Sequence, residues 1–246
     1  MAYLIYCKAP LTRLSIFALQ RSRQVKQPIT SKIQQDSQQY WDAIKTLYAN
    51  GSPDLQGLNS YRYQRQITGG NQEFMEALTF QHYLETQELI SYDESVKRLA
   101  QLGGDGGPVL LTPSDYILGV FDMVGELMRF SITAIATSGK IPTSSSQADP
   151  DTQMADADTE ESIQESESQD RDVLTDLRNL RIYLEKLDAS TDGSLGRDIS
   201  KKMGVMQVCV QKVENALYGL IVRGSERPKG WVPDLNTGAR EEIEGY

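Results

Sequence analysis

The chain has 246 residues, enough to bury a core in one domain or two small ones, and its net charge of −9 comes from 34 acidic and 25 basic residues. Residues 141–170 hold Asp149, Asp151, Asp156, Asp158, Glu160, Glu161, Glu165, Glu167 and Asp170 with no Lys or Arg, so outside that tract the two signs number 25 each. The acidic balance is therefore local and argues little against a nucleic-acid partner. Cys7 and Cys209 offer neither a disulfide framework nor a zinc-like spacing. His82, the only histidine, excludes a multi-histidine metal centre, so catalysis would rest on carboxylates.

Residues 1–35 contain six basic residues and no acid, the composition of a presequence or of a basic helix. In chain order, Leu11 to Val25 reads as a helix with Leu11, Leu14, Phe17 and Ala18 as its apolar stripe, interrupted by Pro28. Ile33 to Leu47 is the next, with Tyr40, Trp41, Ile44 and Leu47 on one face, and Asn50-Gly51-Ser52-Pro53 stops it. A long helix is predicted from about Leu55 to Leu89. Gly69 and Gly70 lie in its middle, where glycine costs about 1 kcal/mol relative to alanine, so a packing or site reason is expected for them.

Asp93 to Leu102 reads as a short helix and Gly103 to Pro108 as a flexible loop. Thr112, Pro113 and Asp115 then supply an N-cap, a proline at the first helical position and an acid three residues after the cap. The helix they open runs to about Thr137, apolar on most of its circumference and so predicted to be buried in a bundle. Tyr116 to Ile132 is the nearest approach to a membrane span, but Asp122, Glu126 and Arg129 interrupt it, and no membrane partner is expected. Ser138 to about Asp170 is too poor in apolar side chains to offset the entropy of ordering it and reads as a disordered acidic insertion. Helical pattern returns at Val173 to Leu187 (Leu177, Leu180, Leu184, Leu187) and at Arg197 to Val222 (Val213, Ala216, Leu217, Leu220, Ile221). The organisation is thus residues 1–137 and 172–226 as two parts of one all-α domain, 138–171 as the insertion and 227–246 as a flexible tail.

Chemistry points to two helices. Glu73 and Glu76 are three residues apart, about 4.5 Å along a helix axis, and Asp122 and Glu126 share a face at a spacing of four. Carboxylates facing each other in a low-dielectric groove resist ionising unless a cation sits between them, and Mg²⁺ or Mn²⁺ prefers such oxygen ligands. Acidic pairs at these spacings are common on solvent faces, so spacing alone favours a polar stripe with Glu126 and Arg129 paired.

Three stretches, "GGNQEFMEALTFQHYLETQELISYDE", "LTPSDYILGVFDMVGELMR" and "VQKVENALYGLIVRGSERPK", resemble the translin family in order and spacing, and its translin-associated factor X branch in particular. The resemblance spans roughly residues 16–228 apart from the acidic insertion. It implies a translin-like antiparallel bundle of about seven helices that joins translin in a hollow hetero-oligomer. Such a complex is a Mg²⁺-dependent endoribonuclease acting on single-stranded RNA, in RNA-interference passenger-strand removal or transfer-RNA fragment processing, in cytoplasm and nucleus. Single-stranded DNA is a second candidate ligand. Carried over by position, Glu73, Glu76 and Asp122 are the catalytic carboxylates, and these three with Glu126 are the metal ligands. The opening "MAYLIYCKAPLT" departs from the family pattern whereas "IFALQR" fits it, so either a shortened first helix or a misassigned start is expected; because the basic stretch runs into the fold, a cleaved presequence is not. Lys8, Arg13, Arg21, Arg23, Lys26 and Lys32, with Arg62 and Arg65 beside Tyr61 and Tyr63, are the residues available to contact phosphates and stack bases. A solvated helix face accounts for them equally well.

Overall fold

A computed structural model describes residues 8–27, 29–143, 171–187 and 193–224. These form eight α-helices: α1 (Lys8–Leu19), α2 (Ser31–Gly51), α3 (Leu58–Arg62), α4 (Gln64–Thr86), α5 (Tyr92–Gln101), α6 (Pro113–Ser138), α7 (Val173–Glu185) and α8 (Ser194–Gly224). The single turn α3 apart, seven longer helices remain, in keeping with the all-α, translin-like bundle expected. Among the described residues there is no strand, only one isolated bridge between Thr143 and Asp172.

α6 is the axis of the molecule, packed most extensively against α4 on one side and α8 on the other. Its start is as predicted: Thr112 Oγ1 accepts from the Asp115 backbone N–H at 3.1 Å and Pro113 occupies the first turn. Leu118, Val120, Phe121, Met123, Val124, Leu127 and Phe130 are all buried around it. No helix of the described residues is long and apolar enough to cross a membrane.

Several boundaries differ from the sequence reading, each for a local reason. The first helix stops at Leu19 rather than near Val25, because Arg21 and Ser22 tighten its end by bonding the carbonyls of Ala18 and Leu19. Lys26 then takes a left-handed φ of 58° and donates its N–H to Leu84 O at 2.8 Å, tying the α1–α2 connection to the end of α4. The buried face of α1 is Thr12, Ser15, Ile16, Ala18 and Leu19, with Ser15 Oγ 3.3 Å from Ser37 Oγ of α2; of the expected stripe Ala18 is buried, while Leu14 and Phe17 are exposed. In α2, Trp41 and Ile44 face inward as expected, but their row is completed by Ser37 and Tyr48 rather than by Tyr40 and Leu47.

The long helix predicted from Leu55 to Leu89 is divided. A 3-10 turn at Ser52–Leu55 is followed by Gly57 at φ +59°, a conformation that breaks the helix, and α4 proper begins at Gln64. The Gly103–Pro108 loop is packed rather than free: Ser52 Oγ donates to Gly103 O at 2.7 Å, and a Cβ on Gly106 would fall 2.1 Å from Ser52 Oγ. In α7, Leu177 and Leu184 are buried, and Leu187, just past its end, is exposed; in α8, Val213 is buried and Ile221 exposed. Residues 144–170, most of the expected acidic insertion, lie outside the described residues, as do 188–192 and the tail from 225. The two sides of the insertion meet, with the Val173 N–H donating to Pro142 O at 3.2 Å.

Candidate functional site: a four-carboxylate groove between α1, α4 and α6

The crossing of α4 and α6 sets the site. Gly119 is the contact point: a Cβ there would lie 2.5 Å from Met75 Cβ and 2.9 Å from Gln72 O, so only glycine lets the helices approach this closely. Gly69, by contrast, is exposed and has nothing within 4 Å of where its Cβ would be, so the packing reason sought there is absent at Gly69, and the close helix approach is made by Gly119 on α6. The close approach occurs beside Glu76 and one helical turn before Asp122.

Beyond the crossing lies a groove of about 850 Å³ lined by all four expected carboxylates, Glu73, Glu76, Asp122 and Glu126, together with Arg13, Phe17, Gln20 and Arg129. Each carboxylate has a different environment. Glu73 accepts from Thr12 Oγ1 at 3.3 Å and lies 3.9 Å from the Arg13 guanidinium. Asp122 accepts from the Lys202 ammonium, which reaches across from α8. Glu126, the most buried of the four, pairs with Arg129 and accepts from Gln20 Nε2 at 2.9 Å. Gln20 also donates to the Glu126 backbone oxygen at 2.8 Å, which fixes the end of α1 over α6.

Glu76 is the exception. No donor among the described residues reaches its carboxylate. Burial, and then the negative charges of Asp122, Glu126 and Glu73, raise its pKa from 4.5 to about 8, with Lys202 acting in the opposite direction. A carboxylate that cannot ionise comfortably, in a cleft with three others, marks a deficit of positive charge and is a recognised signature of functional sites. Among the described residues no three His, Cys, Asp or Glu side chains stand in ligand geometry around one point, because Glu73, Asp122 and Glu126 are turned onto Arg13, Lys202 and Arg129. The Glu126–Arg129 pair read from the sequence is present. Oxygen-only donors of this kind suit a hard divalent cation.

The candidate nucleic-acid residues do not gather in one place. Arg13 lines the groove, Arg21 pairs with Asp36, and Arg23 caps the carbonyls of Gln20 and Ser22. Lys26, Lys32 and Arg65 are exposed, and the Arg62 guanidinium lies over the Tyr63 ring at 5.5 Å while Tyr61 is exposed. The Lys8 side chain is outside what is described. His82 lies away from the carboxylates, in a smaller cleft with Trp41 and Phe74.

Residues 10–224 match the profile of the Translin family. The chain belongs to that family. It is 28% identical over 242 residues to Translin-associated protein X of Mus musculus, covering 91% of this chain and 72% of that protein. The protein of that name from Pongo abelii is 29% identical over 251 residues, covering 95% and 75%. The Translin-associated protein X homolog of Schizosaccharomyces pombe is 27% identical over 174 residues, covering 71% of this chain and 59% of its own length. The family match includes every residue of the groove, Lys202 among them.

Sequence reading missed Lys202, Gln20, Thr12 and Gly119. For Lys202 a signal was present: it occupies the helical register of Ile199, Met206, Cys209 and Val213, all buried, so a lysine there is out of place in an apolar stripe. Phe17 was assigned to the core and instead stands 71% exposed on the wall of the groove.

Proposed function

We propose that this chain is the catalytic subunit of a translin-containing endoribonuclease that cleaves single-stranded RNA with a divalent cation, Mg²⁺ or in its place Mn²⁺. The observation that carries the reading is the shared groove of Glu73, Glu76, Asp122 and Glu126, with Glu76 held in need of a cation. Glu73, Glu76 and Asp122 would hold the ion, with Glu126 as a fourth ligand or as a base oriented by Gln20 and Arg129. When bound, such an ion polarises a phosphoryl oxygen and acidifies water. The chain's own residues do the rest: Arg13 and Arg129 on the wall are placed to meet phosphate oxygens, and the exposed Phe17 ring offers a face on which a base stacks.

Partnership with translin is supported by the names of the relatives and by the apolar side chains left outside the core on the last two helices. Ile182 and Tyr183 on α7 and Val205, Val208, Tyr218 and Ile221 on α8 are all exposed. A second reading, a non-catalytic subunit that stabilises translin and binds single-stranded nucleic acid, is favoured by one observation: three of the four carboxylates already have cationic partners within the chain.

Co-expression with translin followed by cleavage of single-stranded RNA in Mg²⁺ separates the two. Glu73→Ala, Glu76→Ala and Asp122→Ala are expected to assemble normally and to cut on the order of 100-fold more slowly or worse. If all three assemble and cut at the wild-type rate, the non-catalytic reading holds.

A further inference from the structure

Three cations touch the carboxylates of the groove, and they are not equivalent. The side chains of Arg13 and Arg129 are 78% and 65% exposed, whereas that of Lys202 is 25% exposed and comes from the inward register of α8. Lys202 donates to Asp122, and its charge also acts on Glu76, against the three neighbouring carboxylates. A fold selected only for packing would place an apolar side chain between Ile199 and Met206, since an enclosed ammonium loses hydration that a single carboxylate recovers only in part. Lysine also differs from arginine here: a compact charge on a flexible stem can leave a carboxylate without disrupting a planar, two-point contact.

We propose that Lys202 is a tethered counter-ion that neutralises the carboxylate cluster when no divalent cation is bound and must leave Asp122 as the cation arrives. The proposal rests on the reading of the groove as a divalent-cation site. It makes Lys202 a positioning residue with two opposed effects: the ammonium stabilises the cation-free fold and competes with the divalent ion for the same oxygens. Loading the site then displaces a side chain of α8, the helix that also carries exposed apolar residues.

The test is Mn²⁺ binding by the full-length chain in complex with translin, read by the electron paramagnetic resonance of free Mn²⁺, for wild type, Lys202→Met, Lys202→Arg and Asp122→Asn. Asp122→Asn supplies the background from ions held elsewhere, such as on the acidic tract. The Asp122-dependent ion is expected to bind about tenfold more tightly in Lys202→Met, where the competing charge is gone, and more weakly than in wild type in Lys202→Arg, whose planar two-point contact leaves the carboxylate less readily. Without Mn²⁺, Lys202→Met is expected to melt lower than wild type, and saturating Mn²⁺ to remove the difference. Equal or weaker Mn²⁺ binding by Lys202→Met overturns the role of Lys202 and leaves the groove reading intact. No Asp122-dependent Mn²⁺ in any variant overturns the groove reading, and the proposal with it. Lys202→Gln, which keeps a donor for Asp122 without the charge, carries the same test if the methionine variant does not fold.

Discussion

Asp115 on α6 and Glu76 on α4 are both acids at the contact of those two helices, and they meet opposite fates. Asp115 is fully buried, 0% exposed, yet its carboxylate accepts from Gln64 Nε2 at 3.0 Å, from Thr68 Oγ1, from Gln72 Nε2 at 3.4 Å and from Asn71 Nδ2 at 3.5 Å. Asn71 is held in turn by Tyr48 OH at 3.0 Å. Glu76 is only half-buried, and no donor among the described residues reaches it while three carboxylates repel it. Burial alone therefore does not distinguish a site from a structural acid; satisfaction does. The carboxylate with its partners holds the helices together, and the carboxylate without them is the one that, in the function proposed, takes up the cation.

Removing each acid should consequently shift stability in opposite directions. Asp115→Ala leaves the Gln64, Thr68, Asn71 and Gln72 donors without their acceptor and should cost about 3 kcal/mol in chemical denaturation. Gly119→Val forces the helices apart at Met75 and Gln72, which should cost about 2 kcal/mol and misplace Glu76 against Asp122, lowering RNA cleavage as well.

For Glu76 the expected effect depends on pH. Its folded pKa, about 8, lies above the ordinary 4.5, so between those values the folded chain keeps a proton that the unfolded chain has released. With divalent ions chelated, stability should fall as pH rises through that window, with the full penalty present above about 8. Glu76→Gln should flatten the fall and melt above wild type at pH 9. Equal slopes for the two proteins would place Glu76 with Asp115, as a structural acid.

Phe17→Ala is the mildest for the fold and separates wall from core: within about 0.5 kcal/mol of wild type in stability, since the ring is exposed, but about tenfold higher in KM for single-stranded RNA.

The bundle was legible because its signals are local. Thr112-Pro113-Ser114-Asp115 fixes the start of α6, and the three- and four-residue recurrence of apolar side chains fixes its buried nature. The spacing of Glu73 with Glu76 and of Asp122 with Glu126 announced two acidic faces. What those acids meet was not legible, because Thr12, Lys202 and Gln20 reach them across separations of 61, 80 and 106 residues. The first helix misled for a related reason. Its buried face is built from Thr12, Ser15, Ile16, Ala18 and Leu19, so counting only apolar residues found Ala18 but passed over Thr12 and Ser15 and turned Leu14 and Phe17 inward. The break before α4 rests on Gly57 at φ +59°, and periodicity, which registers side chains, cannot see a backbone conformation.

The most direct test of the central claim pairs two measurements on one variant, Glu76→Gln assembled with translin: thermal stability without divalent ions at pH 8, and cleavage of single-stranded RNA with Mg²⁺. A melting temperature at or above that of wild type is expected, together with a loss of cleavage on the order of 100-fold. Cleavage at the wild-type rate by the assembled variant would contradict the claim.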